Sequence, residues 1–201
     1  ILTGSTDTTA ILWNAESGVQ VHTFRSGAVE SVAFSPDGTQ LLIGSSGSAK
    51  LWNVETGSAV RTFIDDTRRV FAVDFSPAGN VVLTGSDDNR VRLWNKDDGT
   101  QLQTITGHSS AINAAVYAST GNSMLTGNSD NNGRIWDLNS NKVLRTLEVH
   151  TGDVTSVAFS EDSSKVLTGS TDDTAAYWNA VTGEVIRILQ FHTNDVNSVA
   201  F

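Results

Sequence analysis

Five tryptophans, Trp13, Trp52, Trp94, Trp136 and Trp178, stand 39, 42, 42 and 42 residues apart. Phe34, Phe75, Tyr117, Phe159 and Phe201 keep nearly the same step, 41 and then 42 three times. An internal repeat of this length constrains the fold more than any single motif, because each copy must form the same supersecondary unit and bury its apolar face against the next. Each copy reads as four short strands joined by turns. An inner strand such as "VTSVAF" (154–159) is followed by a turn such as "SPDG" (35–38), a strand such as "QLLIGS" (40–45) and a tight turn. Then come a strand such as "VRLWN" (91–95), a Gly-bearing turn and an outer strand such as "VQVHTF" (19–24).

Composition agrees with an all-β reading and narrows the partners. Of 201 residues, 38% are hydrophobic, enough for one domain with its own core spanning 1–201, and only Pro36 and Pro77 interrupt the chain. The formal charge of −9 leaves no source for phosphate neutralisation, so neither nucleic acid nor an anionic membrane is expected as a partner. With no cysteine there is no disulfide framework or thiolate metal site, and the compartment stays undetermined. No apolar run approaches a membrane span and no charged-then-apolar leader is visible, which leans towards a soluble, cytoplasmic protein.

A repeat of roughly 40 to 45 residues with four strands per copy is the signature of propeller blades. Finer marks recur in the copies. Gly107 and His108, His150 and His192 stand nine residues before the aromatic of the inner strand, and Ser35–Gly38 and Ser76–Gly79 follow it. "GS" with an Asp two positions after the Ser comes next, then "LWN" or "IWD". On these residues the chain resembles the WD-repeat family along its whole length. The resemblance implies a WD40-type β-propeller of five four-stranded blades. Asp follows the tryptophan once, at Asp137, and Asn stands at 14, 53, 95 and 179. That departure is mild, since Asn also accepts hydrogen bonds in the following turn.

His150, Ser170 and Asp172, with Trp178, have the residue types of a nucleophile, base and orienting acid. Periodicity argues against catalysis. The set recurs as His192 with Ser5, Asp7 and Trp13, in part as His108 with Asn128, Asp130 and Trp136, and as Ser86, Asp88 and Trp94, whereas one triad suffices for an enzyme. The resemblance implies a structural polar network in which Asp holds His, His meets the Ser hydroxyl and Ser accepts from the indole N–H. "NSDNNG" (128–133) has the spacing of a calcium loop, but Asn139 stands where the bidentate Glu belongs, and the segment coincides with a tight turn. No metal and no cofactor are expected.

Two adjacent copies deviate. In the second, Arg25 replaces the His, Gly47 the Asp, and the turn "SSGS" is one residue short. The third has Asp66 at the His position, and beside it the basic pair Arg68 and Arg69 precedes Phe71, the one aromatic among Glu30, Phe71, Asn113, Thr155 and Asn197. Arg and aromatic side chains dominate binding hot spots, so Arg25, Arg68, Arg69 and Phe71 form the expected site for a protein or peptide partner. The expected function is a non-catalytic scaffold presenting loops on a propeller face. The alternative is a structural self-assembly protein in which split blades join neighbouring chains into an oligomer or filament.

The ends carry a further expectation. His150 precedes Ser170 by 20 residues, whereas joining Phe201 to Ile1 places His192 only 14 before Ser5, six short, the length of "SPDGTQ" (35–40). Asp195–Phe201 is therefore expected antiparallel to Ile1–Ser5, making one blade split between the N- and C-terminal segments. A start without methionine points to a piece of a longer repeat array.

Overall fold

In a computed structural model, which describes residues 1–64 and 69–201, the repeat resolves into strands with short turns between them and no helix. The first sheet has three strands, β1 (Leu2–Gly4), β2 (Thr9–Trp13) and β3 (Gln20–Arg25), in that order. The second has six: β4 (Val29–Phe34), β5 (Gln40–Asn53), β6 (Ala59–Phe75), β7 (Val81–Ser86), β8 (Val91–Asn95) and β9 (Gln101–Ile105). A four-stranded sheet follows, β10 (Ile112–Tyr117), β11 (Ser123–Asn128), β12 (Gly133–Asp137) and β13 (Lys142–Leu147). The last is β14 (Val154–Phe159), β15 (Lys165–Ser170), β16 (Thr174–Asn179) and β17 (Val185–Gln190). Neighbours pair antiparallel throughout, as short connections require.

The chain divides into two compact units, residues 1–87 with 91–104, and residues 88–90 with 105–201. In the first, Leu42, Leu51, Phe63, Val73 and Trp94 make one core cluster and Ala10, Leu12, Phe24 and Ile43 another. In the second, Leu125, Ile135, Leu147, Val157 and Trp178 pack together. Strand glycines let consecutive repeats approach. A Cβ on Gly44 would meet Val73 at 2.8 Å, and one on Gly127 would meet Val154 at 2.8 Å.

One expectation is corrected here. The repeats of Trp52 and Trp94 are not separate four-stranded sheets but share one. β5 runs unbroken for 14 residues through the shortened turn and β6 for 17, with Ser46 paired to Arg69. The Trp13 sheet has three strands, and no strand is assigned within 191–201. No helix among the described residues is long and apolar enough to cross a membrane.

Candidate functional site

The buried polar chain is most complete beside Trp178. Its indole N–H donates to Thr168 Oγ1 at 3.0 Å, and Thr168 Oγ1 lies 2.7 Å from His150 Nε2. His150 Nδ1 lies 3.0 Å from Asp172 Oδ2. Asp172 also accepts from the Thr151 N–H and the Thr174 hydroxyl. One proton assignment satisfies every member: Trp178 donates to Thr168, Thr168 to Nε2, and the Nδ1–H to Asp172. Burial pushes the Asp172 carboxyl up, but the bonds from Thr174, Thr151 and His150 outweigh it and hold it below its ordinary value.

The hydroxyl in this chain is Thr168, not Ser170. Ser170 lies two residues along the strand, donates to the Gly152 carbonyl at 3.0 Å and accepts from the Asp172 N–H, so it closes the turn instead. The same Thr serves elsewhere: Trp94 donates to Thr84 at 3.0 Å, Trp136 to Thr126 at 3.2 Å and Trp13 to Thr3 at 2.9 Å. The signal was present in the sequence as "LTG" at 2–4, 83–85, 125–127 and 167–169. The Trp52 repeat has "LIG", and Ile43 pairs with Val32 as Thr84 pairs with Val73. Trp52 Nε1 is accordingly buried without an acceptor.

The His108 copy is wired differently. Arg134 takes the Asp130 carboxylate through both oxygens, at 3.0 and 2.7 Å, and Ser109 adds a 2.5 Å bond. At the position of Arg134 the Trp178 repeat has Ala176, which leaves Asp172 free for His150. Thr126 donates to Asn128 Oδ1, so His108 Nε2 must be the protonated nitrogen that donates to Thr126, and its bare Nδ1 is buried without a partner. Burial first and the Arg134 charge second push His108 down to about 4. The loop with calcium-like spacing is thus a turn whose carboxylate is engaged by arginine, with Asn131 at φ 68. Among the described residues no cluster of three metal-ligating side chains occurs.

Around the other expected residues, Ser5 and Asp7 are exposed, and Asp7 is held below its ordinary value by the hydroxyl and N–H of Thr9, with a smaller contribution from Arg25. His192, in the other unit, is exposed rather than buried. Ser86 is buried, and Asp88 sits 3.9 Å from Arg90. Arg69 donates to Glu30 Oε1 at 2.6 Å and lies 5.5 Å over the Phe71 ring, with its side chain about half exposed. Arg25, at the end of β3, is exposed. Arg68 and Asp66 lie outside the described residues.

The tryptophan-terminated strands end in Asx turns. Asn14, Asn53, Asn95 and Asn179 accept turn N–H groups through Oδ1 as Asp137 does, so the Asn-for-Asp exchange keeps the same bond. The family model "WD domain, G-beta repeat" matches four consecutive stretches, residues 18–53, 57–95, 99–137 and 141–179. The chain belongs to the WD40-repeat family. Its antiparallel sheets and repeats fit a β-propeller, and WD40 repeats generally act in protein–protein interaction. Comparison with curated proteins finds no match.

Proposed function

We propose that this WD40 chain is a non-catalytic interaction scaffold, a single propeller domain over 1–201 with five repeats, one divided between β1–β3 and Asp195–Phe201. Its partner is a protein or peptide, and no cofactor takes part. The observation that carries this reading is the Arg69–Phe71–Glu30 group: an exposed guanidinium already oriented by an aromatic face and by one carboxylate. An acidic side chain of a partner can replace Glu30 while Phe71 supplies apolar contact, the chemistry that concentrates binding energy. In the sequence Arg25 and Arg68 add two further basic residues to the expected site. The His150–Asp172 chain does not compete as a catalytic reading, because its donors and acceptors are committed to Thr168, Trp178 and the turn that holds them.

The test is a binding titration with a partner recovered by pull-down and purified. Arg68→Glu combined with Arg69→Glu should weaken binding by roughly tenfold or more, the loss of one or two charge-assisted bonds. Unchanged affinity for every recovered partner would refute the site.

A further inference from the structure

Departures from the repeat converge on one groove of the second unit. Between the β10–β13 and β14–β17 sheets lies a pocket of about 440 Å³, floored by Ile135, Leu144, Phe159 and Val181. The position three residues after the tryptophan is Glu16, Glu55, Asp97 or Asn139 in the other copies. Here it is Val181, apolar and 69% exposed, and Leu144 beside the same floor is 44% exposed.

Fixed polar groups rim this floor. In the first unit a Cβ on Gly79 would lie 3.5 Å from the Pro36 ring, whereas Ser119 and Ser163 stand at the corresponding places of the groove. Ser163 takes φ 55 where the other copies have Gly38, Gly79 and Gly121. Its Oγ accepts the Ser119 N–H at 2.9 Å and lies 2.9 Å from the Ser119 hydroxyl. Non-glycine residues held in that left-handed region gather at ligand clamps.

Arg145 and Asp162 set the chemistry of the rim. Arg145 donates through Nε to the Val181 carbonyl at 2.8 Å and through Nη1 to the Leu144 carbonyl at 2.5 Å, and its Nη2 bonds no described residue. Asp162 Oδ1 accepts from the Ser160 hydroxyl at 2.6 Å and the Ser164 N–H at 3.0 Å, while Oδ2 accepts from no described residue. The Ser160 hydroxyl first and the Ser164 N–H second hold this carboxyl at about 2, so it is ionised. By repeat position the first unit has His22 with Asp37 and Arg61 with Ala78 instead, so neither pair offers a guanidinium and a carboxylate together.

We propose that this groove docks an extended peptide segment of a partner protein, which sets one leucine- or phenylalanine-sized side chain on the floor. The free Nη2 of Arg145 and the free Oδ2 of Asp162 are one donor and one acceptor, and a peptide backbone offers the matching acceptor and donor beside its side chain. The partner's carbonyl takes the Nη2–H, and its N–H goes to Oδ2. Because Arg145 and Asp162 are already held by their other bonds, little ordering remains to be done on binding. The chain's charge of −9 and the exposed Glu161 beside Asp162 favour a segment with basic flanks. The groove shares no residue with the Arg69 group, so either site can fail without the other.

The probes are acetylated, amidated pentapeptides Ser-Lys-Xaa-Lys-Ser with leucine, phenylalanine or serine at Xaa, titrated into the isotope-labelled full chain and followed by amide NMR shifts. The leucine and phenylalanine peptides should shift amides of residues 119–123, 162–164 and 180–183 saturably. The serine peptide should bind roughly fivefold or more weakly, for want of the apolar side chain. Asp162→Asn keeps Oδ1 for the turn but makes the free end a donor, and should weaken the leucine peptide by roughly fivefold. Leu144→Ser combined with Val181→Ser, both at exposed positions, should weaken it similarly and spare the core. A serine peptide that binds as well, indifference to both variants, shifts confined to other segments, or no saturable shift up to millimolar peptide overturns the inference. Tighter binding of free leucine or phenylalanine, which would make the groove an amino-acid site, overturns it too, as does preference for the same peptides with glutamate in place of lysine.

Discussion

Thr168→Val removes one hydroxyl and keeps the shape of the side chain. In the native protein that oxygen accepts from Trp178 Nε1 at 3.0 Å and donates to His150 Nε2 at 2.7 Å, and Thr168 is 0% exposed. Valine therefore strands two buried groups at once, each costing about 1 to 3 kcal/mol, against a small gain from an extra buried methyl. The net loss should be about 3 kcal/mol. Equilibrium urea unfolding reads it as a lower midpoint with an unchanged slope. Thr168→Ser, which keeps the hydroxyl, should lose only about 1 kcal/mol through the missing methyl. A Thr168→Val loss below about 0.5 kcal/mol, the range of ordinary surface substitutions, would refute the hydroxyl as the hub of the chain.

Asp172→Ala should cost about 1 to 3 kcal/mol by leaving His150 Nδ1–H and the Thr151 N–H without their acceptor, and wild-type melting of the variant would contradict this. Ile43→Thr should change stability by less than about 1 kcal/mol, because the acceptor it brings to the orphaned Trp52 N–H offsets the lost apolar volume; a loss typical of core truncation, about 2 kcal/mol or more, would show that the indole is satisfied otherwise. His108, depressed to about 4, makes stability pH-dependent: the unfolded chain takes up the proton first, so stability is full above about pH 6.5 and falls by up to about 3 kcal/mol as pH drops towards 4. The lowered carboxylates, such as Asp37 at about 2, lose their contribution only from about pH 5 downward, so urea midpoints at pH 7 and pH 5 report mainly the histidine, and equal midpoints would contradict its buried neutral state.

The tryptophan period was enough to place the strands of the Trp136 and Trp178 repeats, because a 42-residue repeat fixes the register of turns as well as of strands. What it did not show is which of two hydroxyls on the same face of a strand, Thr168 or Ser170, points to the indole. Both fit the spacing, and the choice is made by sheet register: Thr168 pairs with Val157 and reaches inward, while Ser170 lies at the strand end and closes a turn. The rewiring at His108 was legible in Arg134, whose guanidinium outcompetes a histidine for Asp130, but only once both were known to share a face. The unbroken run of β5 passes through a turn one residue short, a change too small to disturb the tryptophan count.

Hydrogen–deuterium exchange of the chain with and without a purified partner tests the scaffold account most directly. Protection should concentrate in peptides covering residues 25–30 and 69–75, which carry Arg25, Glu30, Arg69 and Phe71. Protection confined to other segments, such as the turns at 119–122 and 161–164, with no change around Arg69 and Phe71, would contradict it.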